Sequence, residues 1–535
     1  MIRLSTRRSF LLRSLAAAPA VALAPRGWRT SPPFDFVLRG GTVIDGTGAA
    51  GRVADIGITG ERITAIGDLA NAAAARIIDG KGLVVAPGFV DAHAHSDLRR
   101  NPAAQSKVMQ GVTMDVCGPD GGSPFPEAPD ENDKAENVCD SRAKWQQQHG
   151  PIAIDIGSYV GHGTVRRRVL GATGRAATPD EVAAMAKVIE TAFDEGALGL
   201  SSGLEYFPGN ATATDELVAL CKVAAKHDRP YVTHIRNEDD RVVEAVDEAI
   251  EIARRSGAPL LISHLKIGGK ANWPKLDTVL AHIEAALEDH EVHADCYPYE
   301  AWQTSLATNF PAWSKEGGGF VKRLQDPADR ARMRKETEAT VAAGGGWDSL
   351  MLGNGLAKED RDLLGKRIDD AAKERGQEPF ELACDLLTRG SVSILGFGID
   401  ETQMDTILCQ PWCLVASDGS AAVASGRTGH PRSFGTFPRV LRRHVREQKR
   451  TTLEDAVRKM TSLPAKVLRL PDRGALAEGK LASVVVFDPA TITDHATYLD
   501  PQRYAEGVKF LFVNGGLVVD GGTQTDARPG RVIGR

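Results

Sequence analysis

Cysteine is scarce: seven in 535 residues, at Cys117, Cys139, Cys221, Cys296, Cys384, Cys409 and Cys413. An odd number without regular spacing builds no disulfide framework. Cys409 and Cys413 stand too isolated for a zinc knuckle, so the thiols read as mostly buried, small apolar groups. A surplus of one charge is also missing. The net charge is −5 and no basic face stands out, which argues against nucleic acid as a partner. Beyond the N-terminus no stretch is long and apolar enough to span a bilayer, so no stable membrane insertion is expected. Internal repeats and low-complexity tracts are absent. The 42% hydrophobic and 25% charged residues are those of a soluble globular chain, long enough for one large domain and a smaller one.

The N-terminus carries Ser5-Thr6-Arg7-Arg8-Ser9-Phe10-Leu11, then an alanine-rich apolar stretch from Leu15 to Ala24 with an A-x-A-like site at Ala20-Val21-Ala22. Paired arginines before a weakly hydrophobic segment resemble a twin-arginine export signal, which places the mature protein in the periplasm or outside the cell. Such substrates cross folded, which suits a protein that does without disulfides.

Residues 1–33 are thus read as signal and linker. Residues 34–86 hold short strand-like runs with glycine turns, such as Gly41-Thr42-Val43-Ile44-Asp45-Gly46 and Asp55-Ile56-Gly57-Ile58. A matching unit spans 476–535, with Val484-Val485-Val486-Phe487 and Leu517-Val518-Val519-Asp520-Gly521. Both ends read as halves of one small β-sandwich with the bulk of the chain inserted between them. Over 87–475 strand-like and helix-like segments alternate. Thr178-Pro179-Asp180-Glu181 opens a helix, Tyr231-Val232-Thr233-His234 is a strand, and Leu260-Leu261-Ile262-Ser263-His264 follows the next helix. Repeated units of this size predict an α/β fold, a (β/α)8 TIM-like barrel. A polar, glycine-interrupted stretch, about 311–346, predicts a helical insertion over the barrel mouth.

The organising stretch is Val85-Ala86-Pro87-Gly88-Phe89-Val90-Asp91-Ala92-His93-Ala94-His95-Ser96-Asp97. Residues i and i+2 of a strand share a face, so His93 and His95 project side by side. Alone, this pair is equally compatible with two unrelated histidines. Asp120, His234, His264 and Asp418 also fall at ends of predicted strands, where barrels of this type hold their chemistry. Four imidazoles with carboxylates suit a zinc-type ion that lowers the pKa of water, and a nearby free carboxylate, Asp418 first, suits general-base work.

The chain resembles the amidohydrolase superfamily, and within it the N-acyl-D-amino-acid deacylase (D-aminoacylase) family. The matching text runs in order over nearly everything after residue 34. It includes Gly-Gly-Thr-Val-Ile-Asp-Gly-Thr-Gly at 40–48, Pro-Gly-Phe-Val-Asp-Ala-His-Ala-His-Ser-Asp at 87–97, Gly203-Leu204-Glu205-Tyr206-Phe207-Pro208-Gly209, Thr233-His234-Ile235-Arg236-Asn237-Glu238, Asp295-Cys296-Tyr297-Pro298-Tyr299 and His430-Pro431-Arg432-Ser433-Phe434-Gly435. The resemblance implies hydrolysis of a small N-acyl-D-amino acid with one or two zinc ions. It implies His93 and His95 at one metal position, His234 and His264 at the other, Asp418 as general base and possible ligand, and Lys266, Tyr297 and Arg432 on the substrate carboxylate. Two departures stand out. The family's Gly-Asn-Cys-Gly, with its shared cysteine ligand, is here Gly118-Pro119-Asp120-Gly121, so Asp120 takes the ligand's place, Cys117 lies out of register, and manganese or cobalt become possible metals. Trp302 stands where the family has small residues. Rival activities are a cyclic amidase of the dihydropyrimidinase or dihydroorotase type, whose bridging lysine is missing from Gly196–Ser202, and a dipeptidase acting on D residues.

Replacing Arg7 and Arg8 together by lysine should leave an uncleaved precursor in the cytoplasm. Fractionation with an immunoblot checks this, and processed protein in the periplasm would refute the twin-arginine reading.

Overall fold

The computed structural model describes residues 33–126, 141–424 and 429–534. The expected export segment lies, except for Pro33, outside the described residues. The two chain ends meet in one hydrogen-bonded sheet of nine strands. Phe34–Val43, Arg52–Thr59 and Arg62–Gly67 form an antiparallel meander. Val84–Pro87 joins the ends: it pairs in parallel with Phe34–Val43 and antiparallel with Val484–Phe487, next to which lie Val508–Val513 and Gly516–Asp520. Ile56, Ile58, Ile63, Val85, Val486 and Phe512 give this unit its own core.

Val84–Pro87 passes through Gly88 into the barrel. Only glycine fits there, because an added Cβ would lie 2.2 Å from Thr113 Cγ2. Eight barrel strands follow: β1 (Phe89–Asp91), β2 (Val112–Cys117), β3 (Asp155–Ser158, continued by Val160–Gly161), β4 (Leu200–Gly203), β5 (Tyr231–His234), β6 (Leu260–Ile262), β7 (Val292–Cys296) and β8 (Cys413–Val415). Neighbours pair in parallel from β1 to β8. The ring closes just past the strands, where Ala94 bridges Gly419 and His95 N donates to Gly419 O at 2.9 Å. Period two is visible along the strands. Val90, Met114, Val232, Leu261 and Leu414 form one buried cluster, while Phe89, Val112, Tyr231, Leu260 and Val292 belong to the larger core shared with the helices.

The helix Pro179–Asp194 starts where its sequence says it should. Thr178 accepts from Glu181 N, and Glu181 reaches back to Thr178 N, a reciprocal cap. Between β7 and β8 the chain makes a long excursion. Trp302–Ser305, Leu350–Leu352 and Ser393–Gly396 form a three-stranded antiparallel sheet. Pro327–Ala343, Ile368–Arg375 and Pro379–Arg389 pack with it around Phe310, Met333, Leu352, Ile368, Phe380 and Ile394. The helical stretch at 311–346 is the middle of this larger unit.

Phe89 is fully buried and stacks on Phe437 with ring centroids 5.6 Å apart. Phe89→Ala should cost about 3–5 kcal/mol, through lost transfer energy and an unfilled cavity. A lowered thermal midpoint in calorimetry is the expected readout.

Candidate metal centre and active site

The C-terminal ends of the barrel strands deliver the candidate side chains to one place. His93 and His95 follow β1, Asp120 follows β2, His234 ends β5, His264 follows β6 and Asp418 follows β8. The ligand atoms of His93, His95, Asp120 and Asp418 lie within 4.8 Å of one another, and so do those of Asp120, His234 and His264. Asp120 belongs to both groups. Its Oδ2 is 3.4 Å from both His93 Nε2 and His95 Nε2, and its Oδ1 is 3.5 Å from His264 Nε2. Cys117 stands apart: its Sγ donates to Ser96 O at 3.1 Å, and burial pushes the thiol's pKa up.

Three of these residues hold uncommon backbones. Asp120, His264 and Asp418 have φ of 57°, 32° and 49°, the left-handed region that non-glycine residues occupy only when their surroundings dictate it. Gly203, at the end of β4, shows how tightly Asp120 is held: a Cβ there would sit 2.2 Å from Asp120 O.

Each buried histidine also presents a ring nitrogen to a carboxylate. Asp295 Oδ2 is 3.2 Å from His93 Nδ1, Glu205 Oε2 is 2.9 Å from His234 Nε2, and Glu238 Oε1 is 3.1 Å from His264 Nδ1. Such partners fix tautomer and ring orientation and raise ligand basicity. Sequence reasoning gave no role to these three acids. Their signal was available, because each lies in a quoted family string: Asp295 before Cys-Tyr-Pro, Glu205 in Gly-Leu-Glu-Tyr and Glu238 in Arg-Asn-Glu.

The electrostatics follow from this crowding. Burial works against the charged forms of His93, Asp120 and Asp418, but their neighbours outweigh it. Asp295, Asp120 and Asp418 raise His93 well above the usual imidazole range. His93 and His264 hold Asp120 well below the carboxylate range, and Arg432 and His93 do the same for Asp418. Both aspartates are therefore ionised acceptors. His93 Nε2 and Asp120 Oδ1 are buried without a hydrogen-bond partner, an expensive state unless a cation shares them. Four imidazoles around a shared carboxylate fit a divalent ion of the zinc type.

The expected carboxylate-binding trio lines the same cleft, a cavity of about 510 Å³ that also touches Trp302. Two of the three are engaged. Arg432 Nη1 lies 2.6 Å from Asp418 Oδ2, and Lys266 Nζ lies 2.6 Å from Glu238 Oε1. The buried Tyr297 hydroxyl has no partner, and its ring lies 5.1 Å from the Arg432 guanidinium carbon. The excursion between β7 and β8 contributes Trp302, Thr304, Thr308, Val341 and Leu350 to the lining.

Comparison with known proteins agrees with this geometry. The chain matches the amidohydrolase family over residues 76–296 and 366–519. It is 36% identical over 517 residues to a D-aminoacylase of Alcaligenes xylosoxydans xylosoxydans, covering 94% of this chain and 98% of that one. It is 34% identical over 516 residues to an N-acyl-D-aspartate deacylase of the same organism, covering 93% and 95%. The crystal structure of an N-acyl-D-glutamate deacylase from Bordetella bronchiseptica, complexed with zinc and a phosphonate inhibitor, superposes with a TM-score of 0.80 at 33% identity, covering 94% of this chain and 100% of that one.

The shared position of Asp120 makes a sharp expectation. Asp120→Ala should lower bound metal and remove most activity, whereas Cys117→Ala should leave both nearly intact, as read by elemental analysis and a hydrolysis assay on the same samples. Asp120→Cys should restore binding with zinc favoured, because thiolate is the softer ligand.

Proposed function

We propose, from the premise that this chain belongs to the amidohydrolase family, that its site cleaves the amide bond of N-acyl-D-amino acids and releases a carboxylate and a free D-amino acid. The observation that carries the reading is the pair of ligand groups sharing Asp120, with an ionised Asp418 beside them at the barrel mouth. Divalent metal would be held by His93, His95 and Asp120 on one side and by Asp120, His234 and His264 on the other, and when bound it would supply Lewis-acid chemistry. The chain's own residues do the rest. Asp418, with Oδ1 3.0 Å from His95 Nε2 and Oδ2 on Arg432, accepts a proton from the attacking water and hands it to the departing nitrogen. Lys266, Arg432 and the unpartnered Tyr297 hydroxyl receive the substrate's α-carboxylate, a point cation, a planar cation and a phenol on one anion. The excursion between β7 and β8 lines the cleft beside them with Trp302, Thr304 and Val341.

The names of the relatives, a D-aminoacylase and deacylases of N-acyl-D-aspartate and N-acyl-D-glutamate, support a D configuration. The cyclic-amidase reading finds no support on β4, whose residues Leu200-Ser201-Ser202-Gly203 include no lysine. Action in the periplasm or outside the cell is part of the same proposal and rests on Arg7-Arg8 and the apolar stretch after them.

The test is a hydrolysis screen of paired N-acetyl-D and N-acetyl-L amino acids, with metal measured on the same protein. Turnover of the D series is expected, and selective turnover of the L series or of cyclic ureides would overturn the reading. Masking the α-carboxylate as a methyl amide should lower kcat/KM by about one to two decades, the loss of a charge-assisted contact worth roughly 1.5–3 kcal/mol. Equal rates for acid and amide would refute the carboxylate clamp.

A further inference from the structure

Beneath the loop that carries Asp418 lies a buried ionic group that the metal centre does not use. Lys107, on the short helix Gln105–Val108, is fully buried. Its Nζ lies 2.5 Å from Asp91 Oδ2, 2.9 Å from Ser417 Oγ and 3.4 Å from Asp115 Oδ1. Asp91 ends β1 and Asp115 lies on β2, and both are fully buried. Packed apolar side chains are often no less stabilising than such a group. What the group does here is hold backbone.

Asp91 Oδ1 accepts from Ser417 N at 2.9 Å, and Asp91 Oδ2 accepts from Ser417 Oγ at 2.5 Å. Ser417 Oγ in turn accepts from Gly419 N at 2.9 Å. On the other arm, Asp115 Oδ2 accepts from Ser96 Oγ at 2.5 Å, and Ser96 Oγ accepts from Ala421 N at 2.7 Å. Alternate amides of the loop, at 417, 419 and 421, therefore all end on side chains tied to Lys107. Between them Asp418 N donates to His93 O at 2.8 Å while its own φ is 49°. A left-handed aspartate persists only where its neighbours over-determine it, and this lattice is what does so.

We propose that Lys107, Ser417 and Ser96 are positioning residues that hold the loop 417–421 so that Asp418 delivers its proton to the departing nitrogen. The inference rests on the amide-hydrolase reading above. In that step the proton taken from water passes from the Asp418 carboxyl to nitrogen. The C–N bond breaks with its electron pair on nitrogen, and the carboxylate is regenerated. An amine departs only once protonated, whereas an alcohol departs with far less help. Loosening the loop must therefore harm amide cleavage more than cleavage of an ester with the same acyl group and side chain. A general loss of fold or metal harms both alike.

The experiment uses the metal-loaded enzyme with an N-acetyl-D-amino acid and the matching O-acetyl-D-hydroxy acid. Ser417→Ala removes one hydroxyl and leaves the charges balanced. Its kcat on the amide should fall at least about tenfold, while kcat on the ester, which shares only the uptake of the water proton, should fall at least about threefold less, with KM changed by no more than about twofold and metal content unchanged. Ser96→Ala, which frees Ala421 N and removes the donor to Asp115 Oδ2 while leaving the two amides at 417 and 419 held, should show the same split at smaller size, and it decides the matter alone if Ser417→Ala does not fold. Equal losses on amide and ester, losses that track metal content, or no loss in either variant would overturn the proposal. If the wild-type protein cleaves neither compound, the amide-hydrolase reading itself fails and this inference with it.

Discussion

Closure of the barrel between its first and last strands is the constraint on which the site depends. His93 and His95 leave β1, Asp418 leaves β8, and they meet only because Ala94 bridges Gly419 across the seam. The same seam carries the Asp418 N to His93 O bond. A parallel ladder delivers all its C-terminal ends to one rim, so ligands from β1, β2, β5, β6 and β8 converge without any long-range pairing designed for them. The remaining task is to hold their angles, and carboxylates behind the imidazoles and left-handed backbones do that locally.

Asp120 shows how electrostatics and geometry reinforce each other. Two neighbouring cations repel, and an anion shared between them offsets that repulsion. A carboxylate offers two oxygens, and here one faces the His93–His95 group and the other faces His264. The price is a left-handed backbone and close contact with Gly203. Cys117, three residues earlier on β2, points to Ser96 O instead and behaves as a packed thiol.

Much of the fold was legible because its signals are local. The reciprocal cap at Thr178 and Glu181, the period-two strands and the shared β-unit at the two ends all follow from short patterns, and so does His93-x-His95. The excursion between β7 and β8 was only half visible. Its helix Pro327–Ala343 announces itself by charge, but Leu350–Leu352 and Ser393–Gly396 are three- and four-residue strands with no periodicity to read. At the site, the candidate ligands sit at strand ends and could be named, while Asp295, Glu205 and Glu238 face histidines carried by other strands. Their motifs are legible in the sequence, but which histidine each one faces is set only by the fold. The same holds for the partners of Arg432 and Lys266, cations expected to face substrate that the structure shows already resting on Asp418 and Glu238.

The nine-stranded sheet joins strands from opposite ends of the chain, and this bears on the order in which the protein becomes a protein. Val84–Pro87 pairs on one side early, but its other neighbour, Val484–Phe487, emerges from the ribosome roughly four hundred residues later. Throughout that interval an apolar strand with a bare edge waits on the nascent chain, the kind of surface that other chains adhere to. The first barrel strand follows directly from Val84–Pro87, so the rim that carries His93 cannot settle until the last portion is made. Maturation is therefore a post-translational event, and whatever guards that edge in the meantime sets how much of the product escapes aggregation.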